Sequence, residues 1–127
     1  MLLSLVGLSL PIPIWSLTVS PLSYSFFATL EALFLERVIL VLIDSEYKVF
    51  INPKIIRKSW KKIAIEEACL SVPGKSGYVK RHQNITIEAL DENGNKIKEK
   101  YEDLPAIILQ HEIDHTNGIL FIDRIIN

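Results

Sequence analysis

The chain divides by polarity before it divides by any motif. Residues 1 to 30, MLLSLVGLSLPIPIWSLTVSPLSYSFFATL, carry no charged side chain, whereas Lys, Arg, Asp and Glu recur throughout everything after Tyr47; the change falls between about Thr29 and Val38. Val38 to Ile43 is a short apolar β-branched run, Ile85 to Leu90 alternates apolar and polar, and Asn93-Gly94 leads into Lys96 to Tyr101. These stretches read as strands, because alternation buries one face of a pleated sheet and Asn-Gly accepts the positive φ of a tight hairpin. Leu104 to Thr116 has the other period. Wound at about 100° per residue, Leu104, Ile107, Ile108, His111 and His115 share one stripe, with Leu109 and Ile113 on the opposite side. A helix apolar nearly all round is one enclosed by its domain. Asp103 is expected as its N-cap, Pro105 suits the first turn, and Asn117-Gly118 is a stop signal. The pattern predicts one α+β domain, a small antiparallel or mixed β-sheet folded around a central helix.

That helix carries two imidazoles where its pattern asks for core residues. One reading is a pair of buried neutral histidines, each satisfied by one hydrogen bond. The other is a shared metal ion: the desolvation cost is incurred twice, and i, i+4 spacing brings both rings of His111 and His115 to one point. Glu112 projects from the edge of the stripe, where a base for an activated water belongs, completing an HExxH pattern. A hydrolytic site of this kind wants a third protein ligand. Downstream of His115 the sole carboxylate is Asp123, and the one cysteine of the chain, Cys69, is by default a small buried hydrophobe. A single thiol also excludes a disulfide within the chain and fits a reducing compartment, so the cytoplasm is the expected location.

Composition narrows the remaining classes. The net charge of −1 over 127 residues argues against a nucleic-acid footprint. The Arg57-Lys58 and Lys61-Lys62 pairs read as a solvated face, with a ribosome contact as the sharper alternative, and His82, beside Lys80 and Arg81, is expected to be exposed and not a ligand. The N-terminal segment lacks the charged start and small-residue cleavage site of a secretory signal. Pro11, Pro13 and Pro21 interrupt it as a membrane span, although Tyr24 to Arg37 could form a helix against the domain. Residues 1–37 thus stand apart as an atypical apolar segment of doubtful origin, and residues 38–127 as the domain, expected to act as a monomer. There are no repeats and no low-complexity tracts.

Two stretches in register resemble the peptide deformylase family. Glu67-Ala68-Cys69-Leu70-Ser71 is similar to the family's second motif, EGCLS, and Gln110-His111-Glu112-Ile113-Asp114-His115 to its third, QHExDH, at the family's separation of about forty residues. The likeness runs from about Val38 to Ile125 through VILVLID, INPKI, the VPG turn and GILFIDRI. The resemblance implies that Cys69, His111 and His115 bind one divalent metal, commonly ferrous iron, with zinc, nickel or cobalt also suited to a thiolate and two imidazoles. It implies that Glu112 takes a proton from the attacking water and passes it to the departing amine. The substrate implied is the formyl group on the N-terminal methionine of a nascent protein. The N–H of Leu70 would support the developing oxyanion, and Arg81, at a basic position common after the second motif, would contact the substrate backbone.

The chain departs from the family in two places. Ala68 stands where the family usually has Gly, and a methyl group there would crowd the backbone or forbid a positive φ. The first motif, GxGxAAxQ, is missing: counting back from Cys69 reaches Thr29 in SFFATLEAL, the only glutamines are Gln83 and Gln110, and Gly7 is the only glycine before Gly74. Loss of one oxyanion donor typically lowers the rate by about 10²- to 10³-fold. The sharp change in composition is what a frameshift or a lost start joined to an intact remainder would leave. Two functions follow as expectations, a deformylase of reduced activity or a degenerate homologue that binds metal or peptide without turnover.

Overall fold

The computed structural model describes residues 2–4 and 37–126. The readings made for residues 5–36, including the interrupted span, most of the Tyr24 to Arg37 helix and the position of Thr29, lie outside the described residues. Seven strands, one helix and a short 3-10 helix follow in order: β1 Leu2–Ser4, β2 Val38–Ile43, β3 Glu46–Lys58, β4 Lys62–Cys69, β5 Val72–His82, β6 Asn84–Leu90, β7 Lys96–Glu102, α1 Asp103–Thr116 and the 3-10 turn Phe121–Arg124. They form a three-stranded sheet, β1-β4-β5, and a four-stranded sheet, β2-β3-β6-β7. All pairings are antiparallel except β1 with β4, where Leu2 to Ser4 run parallel to Glu67 to Cys69. Among the described residues no helix is long and apolar enough to cross a membrane.

Local chemistry explains the turns. Asp44 and Ser45 both have positive φ (52° and 68°) between the paired Ile43 and Glu46, which is the two-residue turn whose twist matches its flanking strands. Gly94, at φ 80°, closes the β6–β7 turn by donating to the Asp91 carbonyl, as the Asn93-Gly94 signal predicts. The helix ends in a Schellman arrangement: Gly118 N–H donates to His115 O and Ile119 N–H to Asp114 O, with Gly118 at φ 73°. Its start differs from expectation. Asp103 is the first helical residue, not the cap; its carboxylate accepts from Gln83 Nε2 at 2.7 Å, while Glu102 holds the cap position without a side-chain bond.

The core has two parts. Ile39, Val41 and Ile43 of β2 alternate inward and pack with Phe50, Ile85, Ile87 and Ala89 against Ala106, Leu109 and Ile113 of α1. Leu104, expected on the buried stripe, is exposed, while Ala106 and Ile107 just after it are buried. A smaller cluster, Cys69, Val79 and Phe121, lies under the C-terminal segment. That segment docks because β5 has no side chain at Gly77, where a Cβ would come within 2.5 Å of Ile125 Cδ1. Ile126 N–H then donates to Tyr78 O.

Candidate metal centre

Cys69 ends β4, and His111 and His115 stand one turn apart on α1. One ligand atom from each, Sγ and the two Nε2, lie within 4.8 Å of one another. Cys69 Sγ is 3.2 Å from His115 Nε2, which is 2.9 Å from His111 Nε2. Among the described residues six polar or charged side chains are buried, and five of them, Glu67, Arg81, His111, Glu112 and Asp114, belong to this region. Glu112 is 3 % exposed on the turn that carries the imidazoles.

Glu67 organises the group. It precedes Cys69 by two residues, so both side chains leave β4 on the same face. Its Oε2 accepts from His111 Nδ1 at 2.9 Å, which fixes the proton on Nδ1 and leaves Nε2 as the nitrogen available to a metal. The carboxylate also takes both prongs of Arg81, Nε to Oε1 at 2.8 Å and Nη2 to Oε2 at 2.9 Å. Burial alone would raise the Glu67 carboxyl; the hydrogen bonds from Arg81 and His111, and their charges, hold it down at about 2. Arg81 Nη1 continues to Asp114 Oδ2, and Asp114 receives Arg124 through Nε at 2.6 Å and Nη2 at 2.8 Å. A chain of alternating charge therefore runs from the C-terminal segment to the imidazole of His111.

The same neighbours set the proton affinities of the donors. Burial pushes the Cys69 thiol up, but hydrogen bonds from His111 and Ser71 outweigh it and hold the thiol below its ordinary value. Burial draws His111 toward neutrality, whereas its bonds to Glu67 and Cys69 raise it overall. His115 is lowered by burial and then by the charge of His111. A thiol of lowered pKa and a neutral imidazole are what a transition-metal ion binds, and the proton held on His111 is one it must displace. The donor set fits a single divalent ion of the iron-to-zinc series.

Arg81, expected to touch substrate, is 3 % exposed and bound to Glu67 and Asp114, so its guanidinium braces α1 against β4. His82, expected to be exposed, is partly buried with Nδ1 2.6 Å from Ser59 O. Ala68 needs no positive φ: the non-glycine residues that have one are Asp44, Ser45, Asn52 and Asp103. Ala68, Cys69 and Leu70 line a cleft of about 380 Å³ with Pro73, Gly74 and Lys75. Three residues of the site had no role in the sequence reading. Glu67 opens the second motif, two residues before Cys69, a spacing that places both on one face only once the segment is known to be a strand. Asp114 and Gln110 lie within the third motif; Gln110 exchanges hydrogen bonds with the His82 backbone, Nε2 to O at 2.8 Å and N–H to Oε1 at 3.0 Å.

A family model described as polypeptide deformylase matches residues 34–127. The peptide deformylase of Psychrobacter cryohalolentis is 53% identical over 76 residues, covering 60% of this chain and 41% of that one. That of Pseudothermotoga lettingae is 45% identical over 87 residues, covering 68% and 51%. Among solved structures, a peptide deformylase from Synechococcus elongatus in complex with actinonin superposes with a TM-score of 0.67 at 38% identity, covering 71% of this chain and 50% of that one. A Thermotoga maritima peptide deformylase gives 0.68 at 31%, covering 71% and 61%. The chain spans about half the length of the curated relatives it matches.

Proposed function

The chain belongs to the peptide deformylase family, and we propose that it is a metal-dependent amide hydrolase that removes the formyl group from the N-terminal methionine of newly made proteins. The observation that carries this reading is the convergence of Cys69, His111 and His115 on one point, with Glu112 on the same helical turn and Cys69 lining a cleft. Residues 38–127 are the working unit, and the HExxH helix is its hub. Iron(II) is the ion we assign, with zinc, nickel and cobalt accepted by the same donors.

When bound, the ion supplies a Lewis acid that polarises the formyl carbonyl and makes water acidic enough to lose a proton near neutral pH. Glu112 would receive that proton as the water oxygen bonds to the formyl carbon, and would deliver it to the amine nitrogen as the C–N bond breaks, giving formate and a free amino terminus. The Leu70 N–H donates to the oxygen that gains charge. Glu67 holds His111 in the tautomer that presents Nε2, and Arg81 acts through Glu67. The protein works as a monomer in the cytoplasm, on nascent chains close to the ribosome.

No glutamine precedes Gln83 in these 127 residues, so turnover is expected to run about 10²- to 10³-fold below that of a relative carrying the first-motif glutamine. The test is deformylation of a short formyl-methionyl peptide by anaerobically prepared, iron-loaded protein. Slow turnover that disappears in Glu112→Ala while one metal per chain is retained supports the assignment. Metal bound without any turnover identifies a binding-only homologue, and turnover that survives Glu112→Ala removes Glu112 from the reaction.

A further inference from the structure

The surface at the β3–β4 turn differs from the rest of the molecule. From Lys54 to Ile65 the chain carries Lys54, Arg57, Lys58, Lys61 and Lys62 and no acidic residue. None of the five cations is in an ion pair among the described residues. Trp60 stands in their midst with its side chain wholly in solvent.

This exposure does not come from a slack loop. Ser59 N–H donates to Asn84 O at 2.9 Å, and Asn84 N–H to Ser59 Oγ at 3.0 Å. Ser59 Oγ donates to Lys61 O at 2.8 Å, and Gln83 N–H to the same carbonyl at 2.9 Å. His82 Nδ1 donates to Ser59 O at 2.6 Å. The backbone on both sides of Trp60 is thus hydrogen-bonded to the β5–β6 junction, and the indole projects from it into solvent. Beside it opens a cleft of about 290 Å³ lined by Lys58, Ser59, Trp60, Lys62 and His82.

A lone exposed aromatic or a lone lysine pair is ordinary on a protein surface. An exposed indole on a hydrogen-bonded turn, flanked by cations outside any ion pair and beside a cleft, has the composition of a platform on which a base stacks while its phosphates meet ammonium groups. Insertion into a lipid surface would require a contiguous apolar face, and apart from Trp60 the cleft is lined only by Lys, Ser and His. His82 offers a means of telling ribose from deoxyribose. Because Nδ1 is spent on a carbonyl, which only accepts, Nε2 is the acceptor of the neutral ring, and a 2′-hydroxyl is the donor that RNA has and DNA lacks.

We infer that the Arg57–Lys62 turn is a docking surface for single-stranded RNA. The net charge of −1, which argued against nucleic acid, averages over the whole chain; at physiological salt a bound phosphate senses only charges within about 8 Å, and the segment Lys54 to Ile65 supplies five cations and no acid of its own. The surface is separate from the deformylation reading and does not depend on it.

The experiment is fluorescence anisotropy of a labelled, unstructured twelve-nucleotide RNA with the full chain, and of the DNA of the same sequence, between 50 and 200 mM salt. Binding at 50 mM salt is expected, falling with log salt at a slope of about −3, as four phosphate contacts to a single strand would give. Trp60→Ala is expected to weaken it about tenfold or more, and the triple Lys58→Glu, Lys61→Glu, Lys62→Glu variant to abolish it. Both variants should keep the parent's circular dichroism and metal content. DNA should bind more weakly, and phosphatidylserine vesicles should show no Trp60-dependent capture. Absence of RNA binding at 50 mM salt, indifference to both variants, equal affinity for DNA, or Trp60-dependent capture by vesicles would each overturn the inference.

Discussion

On one side of α1, Ala106, Leu109 and Ile113 join β2, β3 and β6 in an interior of aliphatic and aromatic carbon; on the other, His111 and Asp114 join Glu67 and Arg81 in an interior of paired charge. The two sides are held by different physics. Apolar burial is non-directional, so the carbon side depends on filled volume and tolerates exchange among side chains of similar size. The charged side depends on count and geometry, because each buried ion is stable there only through its partners. One helix therefore carries a face that supplies stability and a face that spends positional freedom to orient a ligand.

The sharpest way to break this contrast is Arg81→Met, which leaves Glu67 and Asp114 buried without their shared partner. Urea unfolding of the metal-free protein should show a loss of about 3–5 kcal/mol. Metal titration should show affinity reduced by about 10- to 100-fold, since Glu67 loses the guanidinium that positions it against His111. A variant as stable as the parent would mean that the charged side is solvated enough to need no pairing. Leu109→Ala tests the other side. It should cost about 2–5 kcal/mol through transfer and cavity terms, and the variant, once folded, should bind metal with the parent's affinity; a coupled loss would show that the two faces are not separable. The smallest effect, nil at neutral pH, comes from acid. The Glu67 carboxyl is lowered in the folded protein from 4.5 to about 2, so its contribution is complete above its unfolded value and is lost as pH falls from about 4.5 to about 2. In Glu67→Gln that portion of the acid transition should be missing from a circular dichroism titration.

The same contrast explains what was legible in the sequence. β2, β6, β7 and α1 follow from apolar period and turn residues, which is the language of the carbon side. β3, β4 and β5 are not visible that way, because they are charged along their length and interrupted: Asn52-Pro53 sits at the register shift between Ile51 and Lys54, with Asn52 at φ 53°, and Pro73-Gly74 lies inside β5. Proline tolerated at an irregularity reads, in sequence alone, as the end of a strand. The pairing of His111 and His115 with Glu112 between them was legible because residue type and spacing carry that chemistry, whereas Cys69, by default a small buried hydrophobe, joined them only through the family resemblance. Arg81 and Arg124 were not, since nothing in a sequence distinguishes a surface arginine from one given to two buried carboxylates. The Asp103 cap failed because Gln83, distant in sequence, claims its carboxylate.

The bond pair between Gln110 and the backbone of His82 also has a consequence in time. A side-chain amide there does for β5 what a neighbouring strand would do, from 28 residues away in the chain and one residue before the first imidazole. Helix and strand cannot satisfy that pair until the intervening hairpin has closed and α1 has settled onto the sheets. The three donors are therefore expected to come together no earlier than the step that buries Gln110. Slow exchange of the His82 amide with solvent deuterium would appear at that same step, marking the moment at which the chain first becomes able to hold an ion.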